Sequence, residues 1–178
     1  MNRKKGYTLI ELIVTVSLLV IVLVGGTTIF YRSFRSSGMS DVRSVVTSNL
    51  SAVGEMMEKT LRYGKVYRLV GPTGQDVPRS SCLVAGEVGV PGTALVMNDV
   101  SGNQVIYVLH NGVVASNEAA ISNDRIGVTE MTFRWFCRSG VSDKMNLTLK
   151  AVYAGTDEDS GTVFQWDKDI NMFNSGIN

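Results

Sequence analysis

An α+β fold, with one long N-terminal helix packed on an antiparallel β-sheet, is what this sequence of 178 residues predicts. Three observations predict it. An apolar run lies close to the N-terminus, an apolar stripe at helical spacing follows it, and beyond Gly64 the pattern changes to short β-rich runs divided by Gly, Pro, Asn and Asp. The length suits one domain with a real core and leaves two full domains cramped.

The first element is set by charge and hydrophobicity. Arg3, Lys4 and Lys5 stand before Gly6, then Tyr7, Thr8, Leu9, Ile10 and a lone Glu11, and from Leu12 to Tyr31 the only ionisable group is the tyrosine phenol. At 1.5 Å per residue those roughly 20 residues form a helix of about 30 Å, the thickness of a bilayer's hydrocarbon core. A buried soluble helix would have to cover apolar side chains on every face. A cleaved secretory signal would need small residues in an Ala-x-Ala pattern after the run, whereas Gly25, Gly26, Thr27 and Thr28 lead straight back into Ile29, Phe30 and Tyr31. The basic residues ahead of the run place the N-terminus in the cytoplasm, against a weaker opposing contribution from Arg32, Arg35 and Arg43.

The helix is expected to continue, because Val42, Val46, Leu50, Val53, Met57 and Leu61 recur at steps of three and four. The opposite face offers Glu55 to Lys59 and Glu58 to Arg62 at the favourable i to i+4 spacing, and Gly64 stops the run. Met56 and Met57 read as core filler. A continuous helix from Thr8 to Arg62 would be about 80 Å long, with Ser33 to Ser40 as the place for a break or bend.

Strands are expected at Val66 to Val70, Cys82 to Val88, Ala94 to Met97, Val105 to Leu109, Gly127 to Cys137, Asn146 to Tyr153 and Thr162 to Trp166. In the strongest, Met131, Phe133, Trp135 and Cys137 share one face; Leu147, Leu149, Ala151 and Tyr153 alternate likewise, so these two runs form an antiparallel pair joined by a Ser139 to Lys144 loop. Val105 to Leu109 is apolar on both faces, as for a central strand under the helix.

Composition narrows the function. Seventeen Lys and Arg against 16 Asp and Glu, a formal charge of +1, argue against a nucleic-acid binder, and one His with two distant Cys offers no zinc cluster and no imidazole relay. No Ser or Cys has a base predictably beside it, and lone His110 reads as a strand-end residue. No cofactor and no enzymatic activity are expected.

The segment Lys5-Gly6-Tyr7-Thr8-Leu9-Ile10-Glu11, followed by the apolar run, resembles the processing site of type IV prepilins and pseudopilins. The resemblance covers about the first 30 residues. It implies a leader at 1–6, cleavage between Gly6 and Tyr7 by prepilin peptidase, N-methylation of Tyr7, and assembly of the helix at 7–31 into a filament. Residues 32–63 would be its amphipathic continuation and 64–178 an extracytoplasmic β-rich domain. The partners implied are other pilin or pseudopilin subunits, the peptidase, an inner-membrane assembly platform, and lipid before assembly, when the chain is a single-pass protein of the cytoplasmic membrane. A softer similarity, in Val128-Thr129-Glu130-Met131-Thr132-Phe133 and Asn146 to Val152, is to the closing strands of minor pilins and minor pseudopilins. The rival reading is a signal-anchored extracellular binding domain that stays in the membrane.

Glu11 gains a rationale from the cut. A carboxylate beside an apolar membrane helix costs on the order of 2.5 to 3.5 kcal/mol at the bilayer centre and less near its edge. A new amine at Tyr7 of a neighbouring subunit would neutralise it and set axial register; the simpler alternative is a favourable anion in a helix's first turn. Many family members have a proline later in the run, whereas this chain has Gly25 and Gly26, which either loosen the helix, at roughly 1 kcal/mol each, or permit close packing. Cys82 and Cys137, both outside the cytoplasm, are expected to bridge, closing a loop of about 56 residues for roughly 4 kcal/mol; two separate buried thiols are the alternative. In many pilins a disulfide tethers the C-terminal segment, whereas here the residues after Cys137 carry no such tether. Asp157, Glu158 and Asp159 between glycines read either as a solvated hairpin tip or as a weak calcium loop.

Overall fold

The computed structural model describes residues 8–154 and 162–175. The chain divides into two units between Arg43 and Ser44. A single helix, α1 (Leu9–Tyr63), crosses that boundary. It opens where the Thr8 carbonyl accepts the amides of Glu11 and Leu12, and the expected interruption at Ser33 to Ser40 is absent, because the helical assignment runs through these residues. It ends at Gly64 as the pattern required. There the backbone passes so close to the Met97 side chain and the Asn98 carbonyl that a Cβ would collide with both.

In the unit from Ser44 onward, the stripe predicted from spacing is the helix's buried face: Val46, Leu50, Val53, Met57 and Leu61 are all within the core, while Val42 falls in the other unit. Met57 fills the core as expected. Met56 does not: it is 54% exposed, one step around the helix from the stripe. Glu58 pairs with Arg62 as spaced, whereas no ion pair joins Glu55 and Lys59.

The β-rich part contains β1 (Lys65–Val70), β2 (Asp76–Pro78), the short helix α2 (Arg79–Ala85) with a 3-10 turn (Gly86–Val88), β3 (Val90–Gly92), β4 (Ala94–Asn98), β5 (Gln104–His110), β6 (Val113–Ser116), β7 (Ala119–Ala120), β8 (Ile126–Phe136), β9 (Lys144–Tyr153) and β10 (Phe164–Asn171). Two antiparallel sheets result, one ordered β2-β1-β4-β5-β6-β7 and the other β10-β9-β8-β3. They are stitched by the Thr93 amide to the Val70 carbonyl, 2.8 Å, and the Val128 amide to the Gly112 carbonyl, 2.8 Å. The arrangement is α+β and pilin-like: a long apolar N-terminal helix followed by a short helix and antiparallel sheets.

The expected antiparallel β8–β9 pair forms, with Phe133 opposite Leu147 and Met131 opposite Leu149, and the inward faces of both strands are buried. The alternation slips at two places: in β8, where the register shifts between Val128 and Glu130, and at the end of β9, where Val152 is buried and Tyr153 is partly exposed. Other expectations change. Cys82 to Val88 is helical and not extended: Pro78 precedes its first turn, and Gly86, at φ 55°, ends it with a conformation only glycine adopts cheaply. β5 is interior to its sheet, yet Tyr107 alone is fully buried, so it is not covered on both faces. The last strand starts two residues later than Thr162 and runs on to Asn171, because its polar residues pair with the polar face of β9.

Candidate assembly helix and its anchorage

Within the first unit, Leu9–Phe34 is long and apolar enough to cross a membrane. Its large apolar side chains are exposed from 50% at Val14 to 78% at Leu9, all around the helix, and none of the described residues covers them. Hydroxyls are the polar groups of its middle, and each is spent on its own backbone. Thr15 donates to the Leu12 carbonyl at 2.9 Å, Ser17 to Ile13 at 2.8 Å, Thr27 to Leu23 at 2.9 Å and Thr28 to Val24 at 2.8 Å. Such internal satisfaction is what a helix needs where water is absent.

Glu11 is the exception. It lies in the first turn of α1 and is exposed, and no described side chain is paired with it. Gly25 and Gly26 have open space around them: a Cβ at either would meet nothing within 4 Å. Gly6 and Tyr7 lie outside the described residues, as do Asp157, Glu158 and Asp159. Among the described residues no group of three or more His, Cys, Asp or Glu is placed to hold a metal ion. His110 is the last residue of β5, exposed, with its Nε2 3.1 Å from the Asn111 amide nitrogen.

The second half of α1 is anchored by contacts that spacing alone did not reveal. Gly54 lies against the Trp166 ring so closely that a Cβ there would sit 2.6 Å from it. Glu58, only 8% exposed, accepts from Lys168 on β10 at 2.6 Å and from Arg62 on its own helix. Those bonds, Lys168 first, hold its carboxyl below the ordinary value against the opposing effect of burial. Tyr107, its phenol pushed up by burial, bonds to Thr60 of α1 and to Ser116. Tyr63 packs on Phe173 with ring centres 5.8 Å apart, and the Phe173 amide donates to the Arg62 carbonyl at 2.8 Å.

At the same end of the sheet lies the Cys82–Cys137 disulfide, with Cα atoms 5.5 Å apart, joining α2 to the end of β8. Beside it the fully buried Asp143 takes a two-pronged bond from Arg79, 3.1 Å at both oxygens, and a third from the Ser175 hydroxyl at 2.9 Å. Asp143 also exchanges backbone bonds with Ser175 and Met172. The C-terminal segment is thus tethered by hydrogen bonds through Asp143, a role that a lone aspartate in a predicted loop did not advertise.

A family model matches residues 1–27: the prokaryotic N-terminal methylation motif. The chain therefore carries a type IV prepilin-like N-terminal motif over its first 27 residues, the signature of prepilin-type processing. No curated protein and no solved structure matches the chain.

Proposed function

We propose that this chain is a structural subunit of a type IV pilus or of a type II secretion-like pseudopilus, cut between Gly6 and Tyr7, N-methylated at Tyr7 and polymerised through its N-terminal helix. The observation that carries the reading is an apolar helix, Leu9–Phe34, that overlaps the methylation motif and is exposed on every face, with internally satisfied hydroxyls and, among the described residues, no partner for the Glu11 carboxylate. Lipid covers that surface before assembly, with the N-terminus in the cytoplasm, and neighbouring helices cover it afterwards. Glu11 then meets the Tyr7 amine of an adjacent subunit and sets the axial register. Gly25 and Gly26 supply the local freedom that a proline gives other members. Similarity of β8 and β9 to the closing strands of minor subunits favours a minor, tip-proximal role.

Intact mass is the direct test. In cells that contain prepilin peptidase, the chain is expected to lose its first six residues and gain one methyl group. A chain still beginning at Met1 overturns the proposal and favours a membrane-anchored binding domain.

A further inference from the structure

The short helix α2 has an unusual attachment. Of its seven residues Cys82 alone is fully buried, while Val84 is 90% exposed and Leu83 37%. It has no side-chain N-cap, and a helix of this length does not persist unaided. Its apolar burial is confined to Cys82 and part of Leu83. What holds it are the bridge from Cys82 to Cys137, the bonds from Arg79 to Asp143, and the ion pair of Glu87 with Arg138 in the 3-10 turn that follows. Arg79 and Cys82 are three residues apart and so share a helix face. Their partners, Cys137 and Asp143, stand at the two ends of one loop.

That loop in turn holds the C-terminal segment. The Met172 amide donates to the Asp143 carbonyl at 3.0 Å, the Asp143 amide to the Ser175 carbonyl at 2.9 Å, and the Ser175 hydroxyl to the Asp143 carboxylate. Phe173 and Asn174, between these points, bond to the Arg62 and Tyr63 carbonyls of α1. A connected series of contacts therefore runs from the disulfide through α2 and Asp143 to the last turn of α1. We propose that this is a redox-gated clasp, in which closure of the Cys82–Cys137 bridge fixes α2 and Arg79, and thereby lets Asp143 lock residues Met172–Ser175 onto the end of α1.

Closure follows ordinary thiol–disulfide exchange. The two thiols lose two electrons and two protons, one S–S bond forms between Cys82 and Cys137, and an oxidising disulfide is reduced to two thiols. Cys82 and Cys137 are 0% and 1% exposed, so the exchange partner reaches them only before the clasp shuts. By linkage, closure of the bridge and locking of the tail each stabilise the other.

Hydrogen exchange on the full chain in detergent tests the coupling. In Cys82→Ser/Cys137→Ser, the Met172 and Phe173 amides are expected to exchange at least about tenfold faster than in the bridged protein, with the β9–β10 ladder unaltered. Unchanged protection at both amides overturns the proposal. Should the double variant lose the β9–β10 ladder too, the decision passes to the bridged protein: Asp143→Asn is expected to speed reduction of the disulfide by dithiothreitol about tenfold under native conditions. A reduction rate equal to that of the unsubstituted chain overturns it.

Discussion

The two halves of α1 solve opposite problems with the same backbone. From Leu9 to Phe34 the apolar residues occupy every face and all are exposed; in the second half Val46, Leu50, Val53, Met57 and Leu61 form one stripe and are all buried, against two sheets of the same chain. Each half also carries a telling carboxylate. Glu58 has found Arg62 and Lys168 within the chain, while Glu11 has no described partner. The contrast teaches that an apolar stripe announces a partner inside the fold, and an apolar cylinder announces one outside it.

The largest effect expected from breaking this contrast is at Glu11. Glu11→Ala removes the carboxylate proposed to pair with an adjacent subunit, so insertion into the membrane is expected to proceed and incorporation into filaments to fall to a small fraction of normal. Sheared-filament and membrane fractions probed for the chain measure both. Normal incorporation would remove the pairing role.

Truncating leucines compares the halves directly. Leu50→Ala leaves a cavity under the sheets and is expected to cost about 2–5 kcal/mol in denaturant unfolding of the β-rich unit. Leu18→Ala, whose side chain is 58% exposed, is expected to leave that unfolding within about 0.5 kcal/mol and to act only on membrane partition or assembly. Equal losses at both sites would mean that the first half is also packed on the fold.

Periodicity made much of this readable in the sequence. The stripe from Val46 to Leu61 and the alternation in Met131 to Trp135 and Leu147 to Ala151 are consequences of local geometry, and each came out on the buried side. What was not legible depended on distant residues or on short elements. Cys-Leu-Val in α2 has the composition of a strand, and its helix is held by a cysteine 55 positions away. Asp167 and Asp169 lie past the strand expected to end at Trp166, yet they extend the pairing with β9, where both accept from Asn146. Arg79 and Asp143 are separated by 64 residues, which no spacing rule spans. One signal was available and unused: Asn111-Gly112, with both φ positive, is the two-residue turn that joins β5 to β6. Glu11's partner could not be legible in a single chain if a second chain supplies it.

Glycines sharpen the comparison at a smaller scale. Gly54→Ala places a methyl group against the Trp166 ring, which lies on the buried side of α1, and is expected to cost about 1–3 kcal/mol despite alanine's better helix propensity. Gly25→Ala and Gly26→Ala meet empty space, so alanine is expected to strengthen that part of the helix by up to about 1 kcal/mol each. If local freedom there serves assembly, the doubly substituted chain assembles more slowly while its β-rich unit unfolds at the same denaturant concentration.

The smallest effect expected is electrostatic and belongs to the anchored half. The carboxyl of Glu58 is held below its ordinary value of 4.5, first by the Lys168 hydrogen bond and then by Arg62, in opposition to burial. A lowered value in the folded state means that the unfolded chain binds the proton more readily, so the stabilisation is fully present above pH 4.5 and is lost as pH falls through the folded value. Asp99, held low first by the Asn103 amide, and Asp169, held low first by Lys144, titrate in the same acid range, so stability of the unsubstituted chain alone does not isolate Glu58. The difference between that chain and Glu58→Gln does, because the other carboxylates are common to both. That difference is expected to be constant near neutrality and to shrink below pH 4.5, with a slope of at most about 1.4 kcal/mol per pH unit for one proton. A difference that stays constant into acid would show that Lys168 and Arg62 hold the position of Glu58 without favouring its charge.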